Sequence, residues 1–208
     1  MTFTFGDQNE TFSVPIIDDK IVEENETLRV NCTTDDNRVN LISCNTATID
    51  IINDDTYIYF CPSPQTSIRE NVGPYVVRLC RIGVLSANHT VELCNTDDSN
   101  GLPHDFPSIK SVCNIITFNP NDEVQTSNII INDDIWGEKE LKSFTISIKS
   151  NDSAVTFNNT PTSYAVQLQD NDNTFFLAST LNVTVMENSS ALNITINRTG
   201  EISVAATV

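Results

Sequence analysis

Basic residues are scarce. Eleven Lys and Arg face 28 Asp and Glu in 208 residues, for a formal net charge of −17 and a pI of about 4.2. A protein that grips a nucleic-acid backbone needs a basic face, so that class is excluded, and docking on anionic lipid is disfavoured for the same reason. Long hydrophobic runs are also missing; apolar residues make up 39% of the chain but are spread in short stretches. No transmembrane span can be read from such a pattern, and the apolar content is too high for a disordered acidic tail. Met1 is followed by Thr2-Phe3-Thr4-Phe5, a strand-like opening without a basic n-region, which reads as a start inside a longer precursor. Histidine is limited to His89 and His104. A histidine metal site or a Ser-His-Asp triad therefore has little to draw on.

Cysteine is present but never as a CxxC pair. Cys32, Cys44, Cys61, Cys80, Cys94 and Cys113 are widely spaced and even in number. This argues against zinc ribbons and redox motifs and for disulfides formed in an oxidising compartment. Cys32 and Cys44 flank an expected hairpin with its turn near Asn37-Arg38, so a local bond is expected there. The other four allow three connectivities. Cys61–Cys80 with Cys94–Cys113 closes two modest loops and is the first choice; Cys61–Cys94 with Cys80–Cys113 is the second.

Asn-x-Ser/Thr sequons begin at Asn9, Asn25, Asn31, Asn88, Asn151, Asn158, Asn182, Asn188, Asn193 and Asn197. That is about twice the number chance placement gives. Together with the cysteines it indicates a secreted or cell-surface glycoprotein.

The chain is self-similar. Shifted by 117 residues, Asn53-Asp54-Asp55 falls on Asp170-Asn171-Asp172, Ile68-Arg69-Glu70-Asn71 on Val185-Met186-Glu187-Asn188, and Val77, Leu79, Arg81 and Gly83 on Ile194, Ile196, Arg198 and Gly200. A shift of 114 places Asp18-Asp19 on Asn132-Asp133, Glu24 on Glu138 and Glu26 on Glu140. One register thus divides the chain into the C-terminal half of a repeat (1–55), a complete repeat (56–172) and the N-terminal part of a third (173–208). The boundaries lack Gly/Ser linkers, so neighbouring repeats should be closely coupled.

Within the complete repeat, short alternating segments predict strands. A first strand over 57–61 and 66–70 is broken by Pro62 and Pro64. Further strands are expected over 75–81, 89–95, 113–118, 127–131, 144–148 and 163–168. Val77, Leu79, Val91, Leu93, Ile116, Phe118, Tyr164, Val166 and Leu168 should face inward. Asn, Asp and Pro turns separate them, and no window has the periodicity of an amphipathic helix. The expected fold is an all-β antiparallel sandwich.

The acids cluster in periodic loop and strand-end positions. They are Asp18, Asp19, Glu23, Glu24, Glu26, Asp54 and Asp55 in the first repeat and Glu70, Asp105, Asp133, Asp134, Glu138, Glu140, Asp170 and Asp172 in the second, with Glu187 in the third. Packed together such carboxylates repel unless a cation intervenes, and oxygen donors from several loops suit Ca²⁺, which takes six to eight. The alternative is turn chemistry alone, since Asp and Asn favour strand ends.

These strings resemble the Calx-beta repeats. Ile130 to Glu140 is similar to their I-D-D-D-x-x-E-x-x-E segment, and Val166 to Asp172 to the closing V-x-I-x-D-x-D. Ile68-Arg69-Glu70 followed by Val77, Leu79, Arg81 and Gly83 is similar to V-x-E followed by V-x-V-x-R-x-G. Ile16-Ile17-Asp18-Asp19 with Glu23-Glu24-Asn25-Glu26 is the plainest match. The resemblance implies seven-stranded Ig-like sandwiches in tandem, with Ca²⁺ bound, in those repeats that bind it, at the end facing the next repeat. Asn53, Asn132 and Asn171 stand where that pattern has acids, and Gly137 stands at a position that is often a ligand.

The resemblance implies matrix, adhesion and cell-aggregation proteins, and with the cysteines and sequons it points to an extracellular structural or adhesive glycoprotein. The partial repeats 1–55 and 173–208, read as pieces of a continuous tandem array or as halves completed between copies, imply stacking end to end into fibres or arrays, with neighbouring repeats, copies of itself or extracellular proteins and glycans as partners. The alternative the resemblance offers is a calcium-sensing regulatory module of a larger membrane protein. No nucleophile–base pair supports an enzyme. His104 beside Asp105 reads as a surface loop, and Trp136 as loop packing against a sandwich edge.

Overall fold

The structure, a computed structural model, describes residues 1–42, 46–97, 112–135, 137, 142–178 and 183–208. Its regular elements are strands plus one 3-10 turn, Glu70–Val72. No helix among the described residues is long and apolar enough to cross a membrane.

Among the described residues, nine strands build a two-sheet sandwich between residues 56 and 169. They are β3 (Thr56–Phe60), β4 (Ser67–Arg69), β5 (Tyr75–Gly83), β6 (His89–Asp97), β7 (Val112–Phe118), β8 (Val124–Ile129), β9 (Lys142–Lys149), β10 (Val155–Thr156) and β11 (Ser163–Gln169). One sheet has the order β10-β3-β5-β8 and the other β4-β11-β9-β6-β7. The sheets are antiparallel except where β3 meets β10 and β4 meets β11. The first strand is broken where the prolines stand: β3 belongs to one sheet and β4 to the other, and Cys61-Pro62 between them is a cis peptide.

Period-two alternation explains the core. Ile58, Val77, Leu79, Val91, Leu93, Phe118, Phe144, Ile146, Val166 and Leu168 point inward and are buried; Ile116 and Tyr164 pack at the margin. Each buried aliphatic or aromatic side chain contributes about 1.5–3 kcal/mol. Two aromatic pairs meet edge to face, Tyr75–Phe144 and Phe60–Tyr164. Cys61–Cys80 and Cys94–Cys113 are disulfides, the first-choice pairing. Cys94 and Cys113 are direct register partners on β6 and β7. The Cys32–Cys44 expectation falls on Cys44, which lies outside the described residues.

Two hairpins flank the sandwich: β1 (Glu26–Asn31) with β2 (Thr46–Ile51), and β12 (Asn173–Leu177) with β13 (Ile196–Gly200). The 117-residue echo is structural. Gly83 and Gly200 have φ of +97° and +95°. The next residue's amide donates to the preceding boundary aspartate in both places, Val84 N to Asp55 O (3.1 Å) and Glu201 N to Asp172 O (2.8 Å).

Arg81 shows why an arginine recurs in the R-x-G motif. Its side chain is 1% exposed. The guanidinium donates to the carbonyls of Ala87, Leu85 and Asn119 and lies over the Phe118 ring. One cation thus satisfies the backbone of two loops that would otherwise bury bare carbonyls. Arg198, 117 residues on, donates to the carbonyls of Glu201 and Val204 and to Asn173 Oδ1.

Candidate cation site at the repeat junction

The 3-10 turn after β4 carries Glu70 into the sandwich end, where it is 1% exposed. The exit of β11 brings Asp170 and Asp172 to the same place. One carboxylate oxygen from each of the three lies within 4.8 Å of the others. The backbone shapes the group: Asn171 N donates to Glu70 Oε1 (3.2 Å), Asp172 N to Asp170 Oδ1 (2.7 Å), and Asn71 N to Asn171 Oδ1 (3.2 Å). Asn171 Nδ2 is 3.5 Å from both Asp133 Oδ1 and Asp172 Oδ2. Asn171 thus supplies donors inside a carboxylate cluster.

Burial pushes the Asp172 carboxyl up. A hydrogen bond with Glu70 opposes the rise, while the charges of Asp170, Asp133 and Asp134 add to it. Asp55, the equivalent residue one repeat earlier, is also raised, by burial first and then by Asp54, Asp19 and Asp18, with Lys20 opposing. Two corresponding positions therefore hold partly buried carboxylates among like charges, the arrangement a hard cation relieves. Around Asp55 an acidic cleft is lined by Asp18, Asp19, Glu23, Glu24, Glu26 and Asp54.

Glu70, Asp170 and Asp172 supply three oxygens, short of a full Ca²⁺ shell. Asp133 and Asp134 stand close enough to be felt by Asp172. Asp105, Glu138 and Glu140 lie outside the described residues, as do Trp136, His104 and Asn182. Glu187 sits in an exposed turn before β13 and is not in the three-residue group. The donors present are hard oxygens drawn from two segments, and they fit Ca²⁺.

The next hairpin is seated beside this cluster. Gly137 N donates to Thr174 Oγ1 (2.9 Å) and its carbonyl accepts from Thr199 Oγ1 (3.1 Å). A Cβ on Gly137 would lie 2.6 Å from Thr174 N, so only glycine permits this approach. Arg69, the neighbour of Glu70, pairs with Glu201 across the junction at 3.2 Å. Gly137, identified from the sequence as a lost ligand position, is here the seat of β12 and β13.

A second polar constellation escaped sequence reading. His89 is 5% exposed; its Nδ1 is 2.9 Å from Asp152 Oδ2 and its Nε2 3.1 Å from Thr56 Oγ1. Thr56 in turn donates to Val84 O. The geometry resembles an Asp-His-hydroxyl relay, but Thr56 is fully buried. No substrate reaches that hydroxyl, so the trio serves to tie β3, β6 and the β9–β10 loop together. Only the Asn88-His89-Thr90 sequon marked this histidine in the sequence. The described sequon asparagines are all exposed, including Asn88, Asn151 and Asn158.

Comparison with known proteins gives one family. A model of the Calx-beta domain matches residues 1–55 and 53–172. Among solved structures, the apo-form Calx CBD1 domain is 25% identical over 57% of this chain and 99% of its own, with a TM-score of 0.48. CBD12 from CALX1.2 is 25% identical over 59% of this chain and 48% of its own, also at 0.48. The calcium binding domain CBD12 of CALX1.1 is 26% identical over 57% of this chain and 49% of its own, at 0.45. The match thus spans about half the length of each CBD12 structure. No curated protein matches the chain.

Proposed function

The chain belongs to the Calx-beta family, and from that premise we propose that it is part of an extracellular structural or adhesive glycoprotein whose tandem sandwiches are stiffened by Ca²⁺ at their junctions. The observation that carries the reading is the placement of the Glu70–Asp170–Asp172 group beside the contacts that seat the following hairpin. Asp172 contributes twice: its carboxylate faces the cluster, and its backbone carbonyl accepts from Glu201 of the next repeat. A cation held by Glu70, Asp170 and Asp172 would fix the exit strand from which β12 continues. It would also remove the mutual repulsion that otherwise loosens this end.

The two disulfides belong to an oxidising compartment, and the exposed sequons suit a glycosylated surface. Both favour the extracellular reading over a regulatory module working in a reducing cytosol. Function here is mechanical and adhesive, carried by contacts between repeats and by contacts with extracellular partners.

Small-angle scattering of the chain made in a secretory host tests this. Ca²⁺ should lengthen and narrow the distribution of interatomic distances relative to chelator, and mass spectrometry should find Asn88 and Asn158 glycosylated. Identical scattering with and without Ca²⁺ contradicts the stiffening, and bare asparagines at both sites contradict the secretory assignment.

A further inference from the structure

In a chain with 28 acids, the sheet β10-β3-β5-β8 contains none. Its outer face shows Val76, Ile82 and Val124, which are 59%, 47% and 39% exposed. Beside them Tyr57 and Tyr59 stack with ring centroids 4.8 Å apart. Arg78, on the inner strand β5, is exposed and has no ion-pair partner among the described residues. No sequon asparagine lies on these four strands; the nearest, Asn158, follows β10 at the edge. The opposite sheet differs, for its neighbouring strands β6 and β9 carry the Glu92–Lys149 ion pair.

We propose that this acid-free face is a docking surface for a second copy of the chain. Charge selects the occupant. Two copies at a net charge of −17 repel wherever carboxylates meet, and on this face, whose strands carry no acid, that cost is smallest. It also offers a complementary pair. In a two-fold, self-complementary contact, Arg78 of each copy lies opposite the tyrosine stack of the other, a reciprocal cation–π arrangement.

Size sets the strength. The four strands hold 22 residues, which at about 4.8 Å between strands and about 3.3 Å per residue present about 350 Å² per copy, or about 700 Å² for the pair. Stable complexes bury about 1,200–2,000 Å². One repeat therefore pairs weakly, and lateral association becomes firm only when several repeats along a chain engage at once. This goes beyond the junction reading and does not depend on a cation.

Sedimentation velocity of the 208-residue glycosylated chain, from 10 μM to 1 mM in chelator and 0.5 M salt, tests it. The weight-average sedimentation coefficient should rise with concentration, and more steeply than in low salt, because screening weakens the net repulsion. In the Val76→Asp/Ile82→Asp variant the rise should vanish, and in Arg78→Ala association should weaken several-fold. Both changes are at exposed positions, and unchanged melting shows that the fold is intact. A flat profile for the native chain, or a rise that the double variant preserves, overturns the proposal. A rise that appears only with Ca²⁺ overturns it as well, and points to the junction instead.

Discussion

Gly200 packs against the backbone carbonyl of Asp172, and Gly83 meets Asp55 in the same way one repeat earlier. In both places a Cβ would press into the carbonyl oxygen, and φ is near +95°. Asp55 and Asp172 thus each have a side chain among other acids and a backbone carbonyl held against a glycine further along the chain, Gly83 or Gly200.

Gly83→Ala should therefore cost about 1–3 kcal/mol, from the left-handed backbone and the lost space together. Urea denaturation of the native chain and the variant measures it. A change below about 0.5 kcal/mol would show that the close approach is relaxed at no cost. Gly200→Ala should loosen the β12–β13 hairpin while leaving the sandwich's own unfolding unchanged.

Arg81→Met should lower stability by about 3 kcal/mol or more, since it leaves three loop carbonyls without their donor in a buried setting. The measurement is again chemical denaturation, with hydrogen exchange of the 84–88 and 119–122 loops as the local readout. Retained protection in those loops would contradict the bracing role.

Much of the sandwich was legible because its strands bury one face each. Alternation at Val77, Leu79, Val91 and Leu93 follows directly from the two-residue side-chain period, and the prolines after Cys61 marked the switch between sheets. The short β10 was not legible: two residues cannot show a period. The His89–Asp152–Thr56 trio was not legible either, since its members are separated by 63 and 33 positions and meet only after both sheets form. At the junction, the carboxylates of Glu70, Asp170 and Asp172 were signalled by motif and repeat. The role of Gly137 was hidden, because a residue that lacks a side chain looks like a lost ligand until the neighbouring hairpin is seen against it.

Asp172→Asn separates repulsion from binding. The folded-state pKa of Asp172 is raised, so the stability tied to its protonated form is present below the unfolded value and is lost as pH rises through the folded value. At neutral pH without cation the charged carboxylate therefore weakens the fold. Asp172→Asn should raise the cation-free Tm by about 1–3 °C at pH 7, with the gain vanishing towards pH 4. The same variant should lose its response to Ca²⁺. A lower Tm at pH 7 would contradict the repulsive setting of this group.

Isothermal titration of Ca²⁺ into the chelator-stripped chain tests the junction most directly. Saturable binding with a Kd of about 0.1–1 mM is expected, in the range of extracellular modules, since asparagines replace acids at Asn53, Asn132 and Asn171. Asp172→Ala should abolish the site formed with Glu70 and Asp170 and leave the cleft around Asp55 titrating alone. No heat at millimolar Ca²⁺, or binding that Asp172→Ala leaves untouched, would contradict a cation at this junction.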